Sequence, residues 1–180
     1  MTHGDENGQT TAIVVEEAEK LRGYLEMWKQ TVAVQQHFNE IEWKIRGLAL
    51  TTVTFTLGAA SLTASSADKP PAIHIGTYDA NSSAIILVIG LIIWLAFFFV
   101  DAGWYHKFLK ASVKHGESLE DEIRNYLPEA GLAKRISEGS RTRLWPTKKV
   151  LHSSGKLKLF YLIIASMLAV LATILQFGAS

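Results

Sequence analysis

Residues 134–149 read KRISEGSRTRLWPTKK and set Lys134, Arg135, Arg141, Arg143, Lys148 and Lys149 against the single acid Glu138. Guanidinium and ammonium groups at this density neutralise phosphates. Trp145 among them offers a face on which a base can stack, and the two together suit a single-stranded oligonucleotide or another anionic ligand. The same charges beside a bilayer attract anionic lipid and mark the cytoplasmic side. On these residues alone, both readings stay open.

A second set of candidates lies at 51–65. On a helix, Thr51, Thr54, Gly58, Ser61 and Ser65 form one stripe of small, mildly polar residues, and Thr52, Thr56, Ala59 and Thr63 form another. Leu48, Phe55 and Leu62 lie between the stripes, with Leu50, Val53 and Leu57 roughly opposite. Small residues let membrane helices approach closely. Hydroxyls can equally touch water along a pore without the cost of burying a charge. One stripe could pack while the other faces a lumen. Asp101 ends the next apolar block, where it is either part of an acidic, cation-favouring ring at a pore mouth or a plain interfacial carboxylate.

Enzyme chemistry finds little footing. There is no phosphate-binding loop, nucleophile elbow, HExxH or EF-hand pattern. His106 and His115 are not at metal-ligand spacing, and His37 sits on a helix expected to pack, where a structural role fits. The absence of cysteine excludes disulfides, thiolate nucleophiles and Cys-ligated zinc. No nucleophile, base and orienter converge by spacing, so neither catalysis, a cofactor nor a bound metal is expected.

The elements that position these residues follow from hydropathy. Hydrophobic residues make up 48% of the chain and are gathered into blocks. A hydrocarbon core of about 30 Å takes roughly 20 apolar residues in a helix. Segments 84–100 and 159–177 are uncharged and meet this easily. Segment 47–64 is also uncharged but richer in Thr and Ser, and a buried soluble helix is its alternative. Five Lys or Arg precede the first block, twelve lie between residues 102 and 158, and only Lys69 lies between the first two blocks. The positive-inside rule then places the N-terminus and residues 101–158 in the cytoplasm, with the 65–83 loop and the C-terminus outside. The chain is then expected to be a multi-pass membrane protein.

Residues 12–46 contain no proline. Leu21, Leu25, Trp28, Val32, Gln35, Phe38, Ile41 and Ile45 recur at helical spacing, so one amphipathic cytoplasmic helix should run directly into the first span. Residues 1–11 are polar, lack the form of a signal peptide, and are expected to be a disordered tail. After the second span, Tyr105, Phe108, Ser112, His115, Leu119, Ile123 and Tyr126 follow a heptad-like spacing, so helix should continue to about Leu127, before Pro128 and Gly131. The apolar faces of these extensions need partners, which points to a homo-oligomer. A hairpin between them within one chain is the alternative. The expected fold is an all-α membrane protein with three spans whose long helices extend into a cytoplasmic bundle.

The segments VQQHFNEIEWKIRGLAL and WYHKFLKASVKHGESLE, with this arrangement of spans, resemble stretches of the HalA-like channel effectors of Hailong-type bacterial antiphage defence systems. The resemblance implies a tetrameric ion channel and a partner nucleotidyltransferase whose DNA oligomers hold the channel closed until infection. Opening would depolarise the membrane. A non-conducting anchor or adaptor that recruits a cytoplasmic partner is the alternative function. The resemblance carries over no ligand residues, so the candidates above rest on charge and spacing.

Overall fold

The structure is a computed structural model. It describes the chain apart from residues 1–2, 66–71, 76–77, 140–141, 145–148, 152 and 179–180, and its side chains apart also from 3–7, 72, 75, 78, 142–144 and 149–151. Helix dominates: α1 (His3–Ser65), α2 (Ser82–Val100), α3 (His106–Ile123), α4 (Leu132–Gly139) and α5 (Ser153–Phe177). A π-helical turn, Asp101–Tyr105, links α2 to α3. Three helical runs, containing α1, α2 with α3, and α5, are long and apolar enough to cross a membrane.

Several expectations need correction. The chain is not purely helical, because β1 (Ala72–Ile75) pairs antiparallel with β2 (Tyr78–Asn81), and β3 (Thr142–Leu144) with β4 (Lys149–Leu151). The 65–83 connection therefore contains a hairpin rather than loop alone. Helix α1 begins at His3, so most of the expected disordered tail is helical. Extending a formed helix adds one hydrogen bond per residue fixed, and no proline opposes it here. The second long helix ends at Ile123, slightly earlier than expected. A turn closes it with Leu127 N–H donating to Ile123 O (2.8 Å), and Gly131 follows at φ 147°, in the left-handed region that favours glycine.

The described chain forms two compact units. Met1–Asn39 and Phe108–Arg141 make the first. Within it α1 and α3 run antiparallel: Phe38 stacks near Phe108 (5.7 Å), Gln35 Nε2 donates to Ser112 O (3.0 Å), and Trp28 Nε1 donates to Glu120 Oε1 (3.1 Å). Glu120 also accepts from Ala133 N–H at the start of α4. The six expected positions from Leu21 to Phe38 are all half-buried, so the amphipathic face of α1 is where its periodicity puts it. On α3 the heptad-like spacing holds in part: Leu119 and Ile123 are buried and Ser112 is half-buried, but Phe108 and His115 are exposed, and Gly116 and Glu120 are buried beside the expected positions. A straight α-helix keeps 3.6 residues per turn and drifts away from a 3.5-residue repeat, and glycine at 116 lets Thr31 and Gln35 come close. His37, expected to be structural, is exposed beside the Phe38 ring.

The second unit comprises Glu40–Lys107 and Thr142–Ser180. Its core joins Ala49, Val53 and Ala60 of α1 to Leu87 and Trp94 of α2 and to Leu157, Tyr161, Leu168 and Ala172 of α5. Glycine is required at 90. A Cβ there would lie 2.9 Å from Thr56 Cβ and overlap the Thr56 methyl, so the α1–α2 approach depends on a missing side chain. At the other end, the Asn81 side chain caps α2 by accepting from Ser83 N–H (2.9 Å). Gln176 of α5 accepts from Asn81 N–H and donates to Asp79 O, both at 3.0 Å, which ties the end of α5 to β2.

Gly90→Ala should destabilise the α1–α2 contact by about 1–3 kcal/mol, the usual cost of overpacking a tight site. A lowered midpoint of unfolding in detergent checks this, and adding Thr56→Gly should recover most of the loss.

Candidate functional site

The strongest concentration of polar chemistry lies in the second unit, where each long helix contributes at one level. Arg46 immediately precedes the first apolar block, Asp101 immediately follows the second, and Tyr161 stands near the start of the third. Asp101 is fully buried. Its carboxylate accepts from Arg46 Nε (2.8 Å), Arg46 Nη2 (3.2 Å) and the Tyr161 hydroxyl (3.0 Å). The same Arg46 Nη2 donates to Glu42 Oε2 at 2.6 Å, one helical turn earlier on α1. Planar guanidinium suits this double duty, since its fork meets one carboxylate with two donors and reaches a second.

The π turn explains how α2 and α3 both serve the cluster. His106 N–H donates to Asp101 O across five residues. In an α-helix, residues five apart point about 140° away from each other. The wider turn brings Asp101 and His106 into one polar cluster. His106 is buried, with Nδ1 3.2 Å from Glu42 Oε1 and Nε2 3.2 Å from Ser154 Oγ in the first turn of α5. Below the cluster, Trp94 Nε1 donates to the Tyr161 carbonyl (2.9 Å), and Trp94, Phe98 and Phe160 pack around the Tyr161 ring.

Glu42, His106 and Ser154 follow the carboxylate–imidazole–hydroxyl order of hydrolase triads, a set that sequence spacing did not offer. Here Glu42 is shared with Arg46, and through Arg46 the three join the Asp101–Tyr161 contact that holds α1, α2 and α5 together. The arrangement works first as a latch between helices. Breaking a buried pair by removing one partner is costly because it strands the other charge.

The anticipated site residues are placed as follows. Asp101 is buried within the chain, its carboxylate taken up by Arg46 and Tyr161. Thr51, Thr54, Gly58, Ser61 and Ser65 are exposed on α1, whereas Thr56 of the second stripe is buried against Gly90. Lys134 and Arg135 are exposed on α4, in the first unit. Arg143 and Lys149 lie on β3 and β4, in the second unit, with their side chains outside the described residues, as are Arg141, Trp145 and Lys148 altogether. Glu42, Arg46, His106, Ser154 and Tyr161 were missed. The available signal was depth: a cation, an anion and a phenol stand at matching ends of three apolar blocks. Among the described residues no group of three or more His, Asp or Glu is arranged to hold a metal.

Asp101→Asn should remove one partner of a buried pair, leaving Glu42 as the carboxylate that Arg46 still meets, and cost about 3–5 kcal/mol. Tyr161→Phe, which removes one hydrogen bond to a charged group, should cost about 1.5–3 kcal/mol. Detergent unfolding midpoints in that order check the assignment, and equal midpoints for Asp101→Asn and the parent would contradict it. Comparisons of the chain with family models, with curated proteins and with solved structures find no match, so the functional reading rests on this geometry and on the sequence.

Proposed function

We propose that the chain is a multi-pass protein of the bacterial inner membrane that assembles as a homo-oligomeric ion channel, with α1 bordering the conducting path. The observation that carries this reading is the division of α1 into faces. Ala49, Val53, Thr56 and Ala60 are buried in the chain's own core. The opposite side is exposed and splits in two. Thr51, Thr54, Gly58, Ser61 and Ser65 occupy one sector, and Leu48, Phe55 and Leu62 occupy another about 80° away around the helix. The apolar sector suits lipid or a neighbouring subunit, and the hydroxyl sector suits a lumen. Thr51 and Thr54 donate to Gly47 O and Leu50 O at 3.0 Å, which satisfies each hydroxyl proton and leaves the oxygen able to accept from water.

The helix lengths support the membrane-spanning part of this reading. From Arg46 to Ser65, Asp101 back to Ser82, and Tyr161 to Phe177, the helices run roughly 28, 28 and 24 Å at about 1.5 Å per residue. These lengths match a hydrocarbon core of about 30 Å, with the polar cluster at its cytoplasmic edge. The distribution of Lys and Arg supports a cytoplasmic N-terminus and a periplasmic C-terminus.

The resemblance to Hailong-type channel effectors supplies the biological setting: a tetramer acting in antiphage defence, held closed by a DNA oligomer from a partner nucleotidyltransferase and opening to depolarise the cell. A cytoplasmic nucleotide or DNA oligomer would meet Lys134 and Arg135 on α4. Leu132 and Ile136, exposed on α4, favour a second reading in which the chain is a non-conducting anchor that docks a cytoplasmic partner.

Purified oligomer in planar bilayers should conduct, and Thr54→Leu or Ser61→Leu should reduce unitary conductance severalfold. Unchanged conductance would move that sector to a packing interface. Silent bilayers together with a stoichiometric co-purified partner would support the anchor. Ser154→Ala should leave conductance in place, whereas esterase turnover abolished by that substitution would argue for an enzyme.

A further inference from the structure

The Arg46–Asp101–Tyr161 contact provides a ruler for the surface of the second unit. Arg46, Asp101 and Tyr161 fix one level on α1, α2 and α5, and the residues on the side away from the apolar core are readable by their distance along each helix. On α1, Trp43 and Lys44 lie roughly 3–5 Å beyond that level. Along the π turn and the start of α3, Trp104 and Lys107 lie roughly 5–9 Å beyond it, and on α5 Lys158 lies roughly 5 Å beyond it. All five are exposed, Trp43 by 66% and Trp104 by 55%. Large indoles exposed to this extent are unusual on a surface bathed only in water, and they collect where an apolar body and a polar edge are both solvated, at the headgroup level of a bilayer.

The depths agree with that zone. A bilayer with a hydrocarbon core of about 30 Å and a total thickness of about 40–45 Å leaves roughly 5–8 Å for the headgroups on each side. Helical side chains lean toward the N-terminus of their helix, which for Lys107 is the membrane side, so its long stem carries the ammonium group back into that zone. Cation and aromatic coincide on α1 and again on the π turn and α3, with a third cation on α5. This is a belt around the unit rather than a patch on one face.

We infer that Trp43, Lys44, Trp104, Lys107 and Lys158 form a docking belt for anionic phospholipid headgroups of the cytoplasmic leaflet. The indoles set depth and the ammonium groups select the negative phosphodiester. The belt rests on the three-span reading and is independent of conduction. It also separates lipid recognition from the 134–149 run, leaving Lys134 and Arg135 for other partners.

The test uses the full chain purified from nanodiscs of neutral phosphatidylcholine containing a minor fraction of phosphatidylglycerol. Resistance to alkaline carbonate extraction is checked first, so that failure of the span assignment is seen separately from failure of the belt. The lipid retained by the protein should be enriched in phosphatidylglycerol over the bulk. Each of Lys44→Gln, Lys107→Gln and Lys158→Gln should lower that preference by about fivefold. The charge-preserving triple variant Lys44→Arg, Lys107→Arg, Lys158→Arg should keep it. Retention of phosphatidylglycerol at its bulk fraction by an integrally inserted parent chain would overturn the belt. So would a triple Gln variant that inserts normally and keeps the parent's preference, or a Lys134→Gln, Arg135→Gln variant that loses it.

Discussion

A carboxylate removed from water at the end of an apolar helix must be met by donors or stay protonated. Asp101 is met on every side: two guanidinium donors come from α1 and one phenol from α5. That requirement fixes much else. Arg46 can reach Asp101 only if α1 and α2 approach closely, which Gly90 permits at Thr56. Tyr161 can reach it only if its ring is held, which Trp94, Phe98 and Phe160 do. The π turn follows from the same demand, since it lets the chain after Asp101 return His106 to the cluster.

Once three helices are pinned at one level, their remaining surfaces acquire meaning. The core side of α1 is taken, so its exposed hydroxyl sector and its exposed Leu and Phe sector have to be covered by lipid, water or a neighbouring subunit. A channel uses all three, because each subunit then meets lipid on one side, a neighbour on another and water on a third. In the proposed placement, the exposed Trp and Lys just beyond the cluster stand where the apolar environment would end.

The legible part of the fold was the part written in local periodicity. Three uncharged apolar blocks mark the membrane-length helices, and the recurrence from Leu21 to Phe38 marks the packed face of α1. On α3 the buried Leu119 and Ile123 were legible from the heptad-like spacing, but His115 was misplaced, because a straight helix puts Gly116 inward. The hairpins were missed because their strands are three or four residues long, too short for alternation to declare itself. The polar cluster was missed for a different reason. Arg46, Asp101 and Tyr161 are far apart in sequence and each is ordinary alone. Only their common depth in three packed helices unites them, and that is a property of the packed structure. The basic run at 134–149, which attracts attention in the sequence, is divided between a helix of one unit and a hairpin of the other.

The chain lacks cysteine, so single-cysteine substitutions along α1 report one position at a time without a background. Labelling each position from 48 to 65 in assembled protein with a membrane-impermeant thiol reagent tests the division of α1 most directly. Reaction at Thr51→Cys, Thr54→Cys, Gly58→Cys and Ser61→Cys, with protection at Ala49, Val53, Phe55, Ala60 and Leu62, is the predicted pattern. Protection along the whole segment, or reaction centred on Leu48, Phe55 and Leu62, would contradict a lumen lined by the hydroxyl sector.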